Sequence, residues 1–223
     1  MLILNSPSNP SGAIYTKEEL IQIGKVLKGT NILIFSDEMY EKIIYDDNSF
    51  TATASINDDM FERTITINGL SKCVAMTGWR FGYIATVKED IIKGMIKLQG
   101  QCTSNINSIT QYAAITALNG SADEDIQMMK KEFQIRRDVA LKEFNKIKGV
   151  KCVSPKGAFY LFVNIEDITN DSMKFCSSLL EEQGIAVVPG IAFGLDGHFR
   201  FSFATDLQSI QEGIRRIKTF IEK

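Results

Sequence analysis

Between an amphipathic helix and an aspartate the chain places four consecutive apolar residues, Ile32-Leu33-Ile34-Phe35, with no polar residue among them. A strand with one wet face would alternate. A short unbroken apolar run reads instead as a strand covered on both faces, the condition of a parallel sheet flanked by helices. The helix before it is signalled over residues 16–28. Thr16 and Glu19 have capping-box spacing, Leu20, Ile23 and Leu27 share one face, and Gly29 supplies the stop. Thr64–Asn68 (TITIN) reads as a second strand and Leu2–Leu4 as another. In open α/β sheets, ligands gather outside the carboxyl ends of the strands. Asp37, just past the first run, and Lys72, just past TITIN, are therefore expected at equivalent, ligand-facing places. Two or three strands are too few for a covered parallel sheet, so the pattern reads as the latter part of a larger fold.

Helices dominate the middle of the chain. They are expected over residues 90–99, 108–119 (closed by Gly120) and 123–148 (ended by Gly149), the last with Ile126, Met129, Phe133, Ala140, Phe144 and Ile147 in one stripe. The pattern then changes. A hairpin is expected around Ser154-Pro155-Lys156-Gly157, a helix over 171–183 stopped by Gly184, and a short strand at Ile185–Val188. The segment HFRFSF alternates, with Phe199, Phe201 and Phe203 on one face and Arg200 and Ser202 on the other. The final helix, 206–222, carries Leu207, Ile210, Ile214, Ile217 and Ile221 at helical spacing. A boundary near residue 120 would separate an α/β sheet segment, 1–120, from a long linking helix and a smaller α+β domain, 121–223.

Composition narrows the chemistry. A chain of 223 residues, 44% hydrophobic, can bury a substantial core. Its net charge of -2 offers no basic field to nucleic acid. No apolar run is long enough to span a membrane, and no signal-peptide pattern opens the sequence. The cysteines, Cys73, Cys102, Cys152 and Cys176, form no paired motif, so neither zinc nor a disulfide framework is expected, and reduced thiols in the cytoplasm are. With His198 as the one histidine, His-based triads and metal clusters have no material. Lysine, aspartate, tyrosine or a cofactor must carry any catalysis.

Those residue types recur in three short blocks. Asp37 and Tyr40 stand in SDEMY, Lys72 and Arg80 in SKCVAMTGWRFG, and Asn9 in NSPSNPSG; Arg200 stands in the alternating strand. A desolvated lysine amine can form a Schiff base with an aldehyde. An arginine offers a planar fork to a phosphate or carboxylate. An aspartate at a strand end can pair with a protonated ring nitrogen and keep that ring an electron sink. A tyrosine hydroxyl and an asparagine amide can hydrogen-bond a phenolic oxygen. Taken singly, each has an ordinary structural role. Asp37 could cap a helix, Tyr40 edge the core, Asn9 serve a turn and Arg200 guard a sheet edge, while Lys72 and Arg80 could simply be solvated.

Together, in this order, these blocks resemble the fold-type I, class I/II pyridoxal-phosphate aminotransferases, in their bacterial-type aspartate aminotransferase branch. NSPSNPSG is similar to the family's Asn-Pro-x-Asn-Pro-Thr-Gly, with Ser6 and Ser11 in place of Pro and Thr. SDEMY is similar to its Asp-Glu-x-Tyr segment and SKCVAMTGWRFG to its Ser-Lys-(x)5-Gly-x-Arg-x-Gly signature. TSNINSITQYAA, PKGAFYLF, VPGIAFG and RFSFA follow further family blocks. The resemblance implies an α/β fold: the C-terminal part of the large domain, a mixed sheet with helices, plus a smaller α+β domain. It implies pyridoxal 5'-phosphate as cofactor, an amino acid and a 2-oxo acid as substrates, and a cytoplasmic homodimer. Lys72 would be the Schiff-base lysine and proton carrier, Asp37 the partner of the pyridine nitrogen, and Tyr40 and Asn9 the ligands of the ring oxygen. Arg80, aided by Ser71, would hold the phosphate. Arg200 would fork onto the α-carboxylate, and Asn9 would touch the same group. Gly69 stands where many relatives have a phosphate-binding serine. Family members also carry a long N-terminal part that this chain lacks, so the resemblance implies weak cofactor binding and negligible activity for the chain alone. A carbon–sulfur β-lyase on the same scaffold and a catalytically inactive fragment are the alternatives.

Overall fold

The computed structural model describes residues 1–223. Strand β1 (Leu2–Asn5) is followed by helix α1 (Lys17–Leu27), whose N-cap is Thr16. The expected capping box is present, with Glu19 N donating to Thr16 Oγ1 and Thr16 N to Glu19 Oε2. Strand β2 (Ile34–Asp37), helix α2 (Asp58–Arg63), strand β3 (Thr64–Gly69) and strand β4 (Gly82–Ala85) complete a four-stranded sheet in the order β1-β2-β3-β4. The first three strands are parallel and the last is antiparallel. Leu4, Leu20, Leu27, Ile34 and Met60 pack as one cluster where α1 and α2 cover the sheet. Fully burying such side chains contributes about 1.5–3 kcal/mol each. Arg63 closes the entry to β3: its guanidinium pairs with Asp59 and donates to the carbonyls of Thr30 and Ile32.

Three helices follow: α3 (Glu89–Cys102), α4 (Ser108–Leu118) and α5 (Asp123–Phe144). Strands β5 (Lys151–Cys152) and β6 (Tyr160–Asn164), helix α6 (Ser172–Gln183), strands β7 (Val188–Pro189) and β8 (His198–Ser202) and helix α7 (Leu207–Ile221) end the chain. Their sheet is antiparallel throughout, in the order β5-β6-β8-β7. The predicted alternation in β8 is realised: Phe199, Phe201 and Phe203 are buried, and Phe199 and Phe201 lie against Phe144 with ring centroids 5.9 and 5.1 Å away.

Contacts divide the chain into two units, Met1–Pro7 with Ile14–Met128, and Ser8–Ala13 with Met129–Lys223. This departs from a boundary at residue 120 in two respects. The first turns of α5 go with the first unit, where Asp123 pairs with Lys42 at 2.8 Å. The hexapeptide Ser8–Ala13 goes with the second unit, because the Gly12 carbonyl accepts from Lys156 N (2.9 Å) and Gly157 N (3.0 Å).

Candidate active site

In the first unit the site is built at the carboxyl edge of the parallel strands. Asp37 is the last residue of β2, in register with Asn5 of β1 and Ile67 of β3. Neighbouring strands run about 4.8 Å apart, so the segment that leaves β2 and the turn that leaves β3 start side by side. The Asp37 carboxylate accepts from Met39 N at 3.2 Å, which fixes its direction at the strand end. Three residues on, Tyr40 is only 4% exposed. Glu38, between them, points the other way. It is 3% exposed, and its Oε1 accepts from Ser36 Oγ (2.8 Å) and Thr53 N (3.0 Å). Burial raises the Glu38 carboxyl above its usual range, against the lowering effect of those two donors.

Lys72 and Arg80 lie on the connection between β3 and β4. Gly69 and Gly82 face each other at the antiparallel join, so the two ends of this connection leave the sheet together. Leu70 N donates to Phe81 O, Met76 N to Leu70 O and Thr77 Oγ1 to Ser71 O, which folds the loop back on itself. Ala75 and Arg80 both adopt positive φ (54° and 55°), a conformation that costs non-glycine residues energy and tends to gather at functional sites. Beneath the loop, Leu70 packs on Ala114 and Ala117 of α4, joined by Val74, Met76 and Phe81. Ser71 and Lys72 are half-buried. Arg80 is exposed, with Nη1 donating to Thr77 O at 2.9 Å. It borders a cleft of about 720 Å3 lined by Trp79, Asn105, Asn107 and Thr110 among others. Gly69 leaves no room for a side chain: a Cβ there would sit 2.8 Å from Phe81 O.

Sequence reasoning missed Cys73. Its Sγ donates to Met39 O (3.2 Å) and accepts from Lys42 N (3.4 Å), which clips the Lys72 turn to the segment carrying Asp37 and Tyr40. Burial pushes the Cys73 thiol up to about 11, so it stays protonated and keeps this donor at neutral pH. Its position beside the lysine was the available signal. Tyr83 was also overlooked; burial raises its phenol, aided by the nearby Glu41, so it remains a neutral hydroxyl.

In the second unit, Asn9 and Arg200 meet as a pair. Arg200 Nη1 donates to Asn9 Oδ1 at 2.8 Å. The guanidinium also lies over the rings of Tyr160 (4.5 Å to the centroid) and Phe193 (5.2 Å). Arg200 belongs to the polar face of β8, opposite Phe162 in register.

The model of the family described as aminotransferase class I and II matches residues 1–217. The chain belongs to that family. It is 44% identical over 227 residues to an aspartate aminotransferase of Bacillus subtilis, covering 100% of this chain and 57% of that protein. It is 48% identical over 228 residues to a probable aspartate/prephenate aminotransferase of Rickettsia typhi, covering 97% of this chain and 57% of that protein. Among solved structures, the aspartate aminotransferase of Rhizobium meliloti superposes with a TM-score of 0.92 at 38% identity, over 99% of this chain and 57% of that one. The chain thus spans a little over half the length of the relatives it matches. Class I and II aminotransferases depend on pyridoxal phosphate. The donor set of this family member suits that group. A carboxylate at a strand end, a buried phenol and a half-buried amine lie on adjoining segments, and an exposed guanidinium ends the lysine loop.

Proposed function

We propose that this chain supplies the lysine-bearing part of a pyridoxal-phosphate aminotransferase that moves an amino group between an amino acid, aspartate-like or broad in range, and a 2-oxo acid. The observation that carries the reading is the Cys73 clip, which fastens the Lys72 turn to the segment bearing Asp37 and Tyr40. Pyridoxal phosphate supplies an aldehyde for a lysine amine and a protonated ring that accepts the electrons of a breaking Cα–H bond. In this reading Lys72 Nζ holds the cofactor and moves the proton between the substrate Cα and the adjoining cofactor carbon. Asp37 keeps the ring nitrogen protonated, each unit of that pKa difference being worth about 1.4 kcal/mol. Tyr40 and Asn9 hold the ring oxygen, and Arg80 with Ser71 takes the phosphate. Arg200 takes the substrate α-carboxylate as a planar fork. Aspartate in the names of the relatives supports an acidic amino acid as substrate, and prephenate, itself a 2-oxo acid, supports a broader range of oxo-acid partners.

The same proposal includes a cytoplasmic homodimer. All four cysteines are free, which suits a reducing compartment. Ile109, Tyr112, Ile115 and Leu118 stand exposed along α4, an apolar run of the kind that marks association. No helix is long and apolar enough to cross a membrane.

The test is incubation with pyridoxal phosphate, borohydride reduction and mass mapping of the labelled lysines, with light scattering on the eluted species. Reduction accumulates even a sparsely populated attachment. Label concentrated on Lys72, lost in Lys72→Ala and carried by a dimer, is the expected result. Label spread evenly over surface lysines would refute the assignment.

A further inference from the structure

Arg200 sits on β8, between β6 on one side and β7 on the other. A ring reaches its guanidinium from each side. Tyr160 comes from β6, diagonal to Arg200 in the register, and Phe193 from the 3-10 turn Gly190–Phe193 that follows β7. Phe193 is itself held. Its ring meets Phe162 edge-on at 6.0 Å, and Phe162 stacks on His198 at 4.8 Å. His198 is anchored in turn, with Nδ1 3.0 Å from the Asp196 carbonyl oxygen and Nε2 3.2 Å from the Asn164 amide nitrogen. The turn is pinned at its start as well: Ile191 N donates to Ser172 Oγ, and Gly190 lies so close to Leu195 O and His198 O that no side chain fits there.

We propose that Tyr160 and Phe193 are positioning residues that hold the Arg200 guanidinium between them, so that with Asn9 on one Nη it presents its remaining N–H donors as a fixed fork to a carboxylate. This rests on the reading of Arg200 as the carboxylate site. A guanidinium swinging on its stem would lose side-chain entropy each time it bound. Two aromatic faces and one amide oxygen remove that freedom beforehand, and they leave the charge unneutralised because none of the three is anionic.

The test uses the full chain labelled with 15N, with the Arg200 side-chain signal assigned by its loss in Arg200→Lys. Resolved, ring-current-shifted guanidinium protons are expected in the parent. Tyr160→Leu and Phe193→Leu should each collapse them, and Tyr160→Phe should preserve them. Pyruvate should shift the Arg200 signal, with affinity weakened about five- to tenfold in either leucine variant. Phe193 is half-buried on a surface turn, so its variant keeps the test available if Tyr160→Leu does not fold. Signals and affinity unchanged in the leucine variants would overturn the proposal while leaving Arg200 as the carboxylate site. A parent Arg200 signal that pyruvate does not move would instead overturn the carboxylate reading.

Discussion

Replacing Gly12 with alanine tests how the second unit holds its first six residues. Gly12 has φ +67°, a left-handed conformation that costs a residue with a Cβ about 1–2 kcal/mol. The new methyl would also overlap Pro155 Cβ and lie 2.6 Å from Gly157 O. That contact cannot relax by turning a side chain, since its partners are a proline ring and a backbone carbonyl. Overpacking of this kind costs about 1–3 kcal/mol. Moving the backbone instead would strain the two hydrogen bonds that the Gly12 carbonyl accepts, together worth about 1–3 kcal/mol. The expected loss is therefore about 2–5 kcal/mol, read as a fall in thermal midpoint of roughly 5–15 °C for a chain of this size. Gly194→Ala is the control within the same unit. Gly194 has φ +81° but nothing within 4 Å of the added Cβ, so it should lose only the conformational part, about 1–2 kcal/mol. Circular dichroism melts of both variants against the parent give the comparison. If Gly12→Ala were no more destabilising than Gly194→Ala, the close approach to the Pro155 loop would not be what fixes the hexapeptide.

Two further outcomes follow from buried titratable groups. Burial pushes Cys73 and Cys176 up to about 11 and Cys152 to about 12, so at about pH 8 their thiolate fractions are on the order of a hundredfold or more below that of an ordinary thiol. A disulfide reagent should modify the exposed Cys102 rapidly and the others slowly; a second fast thiol that survives Cys102→Ser would contradict this. The Glu38 carboxyl is raised in the fold by burial, so its contribution to stability is full below the ordinary value of 4.5 and is lost as pH rises through the folded value. Glu38→Gln should flatten the decline in stability from about pH 4.5 upward, and denaturation profiles that stay parallel to the parent's would exclude the assignment.

Legibility in the sequence followed the range of the interactions. Capped helices were readable because their signals are local: Thr16 caps where expected, the helices expected from 171 and 206 begin one residue on with Asp171 and Asp206 as their caps, and Gly184 adopts the left-handed stop. Strand limits were not, because pairing sets them. The apolar run at 32–35 led to an expectation of Asp37 outside β2, whereas the register with β1 and β3 runs through Asp37 itself. Strand β4 was missed for the same reason, since its four residues become a strand only by pairing with β3. Helix α2 was missed although Asn57 and the acidic first turn signalled its start. Helix α5 stops at Phe144 rather than at 148, and there the Asn145 amide exchanges two hydrogen bonds with the Cys152 backbone. β7 shrinks to Val188–Pro189, the residues of that segment that pair with β8. Within the candidate site the motifs nominated the residues, and Arg200 lies adjacent to Asn9. The rings around Arg200 were hidden, because Tyr160 and Phe193 reach it only through the sheet order.

The hexapeptide bears on how the protein is made. Asn9 and Arg200 are 191 positions apart, so their bond closes a very long loop. On a ribosome Ser8–Ala13 would emerge well before β6 and β8 and wait, unsatisfied, until those strands had been translated. Loops of that span are slow to close, so consolidation of the Asn9–Arg200 pair is placed among the last events of folding. An expression scheme that supplied residues 129–223 alone would yield an arginine without its asparagine.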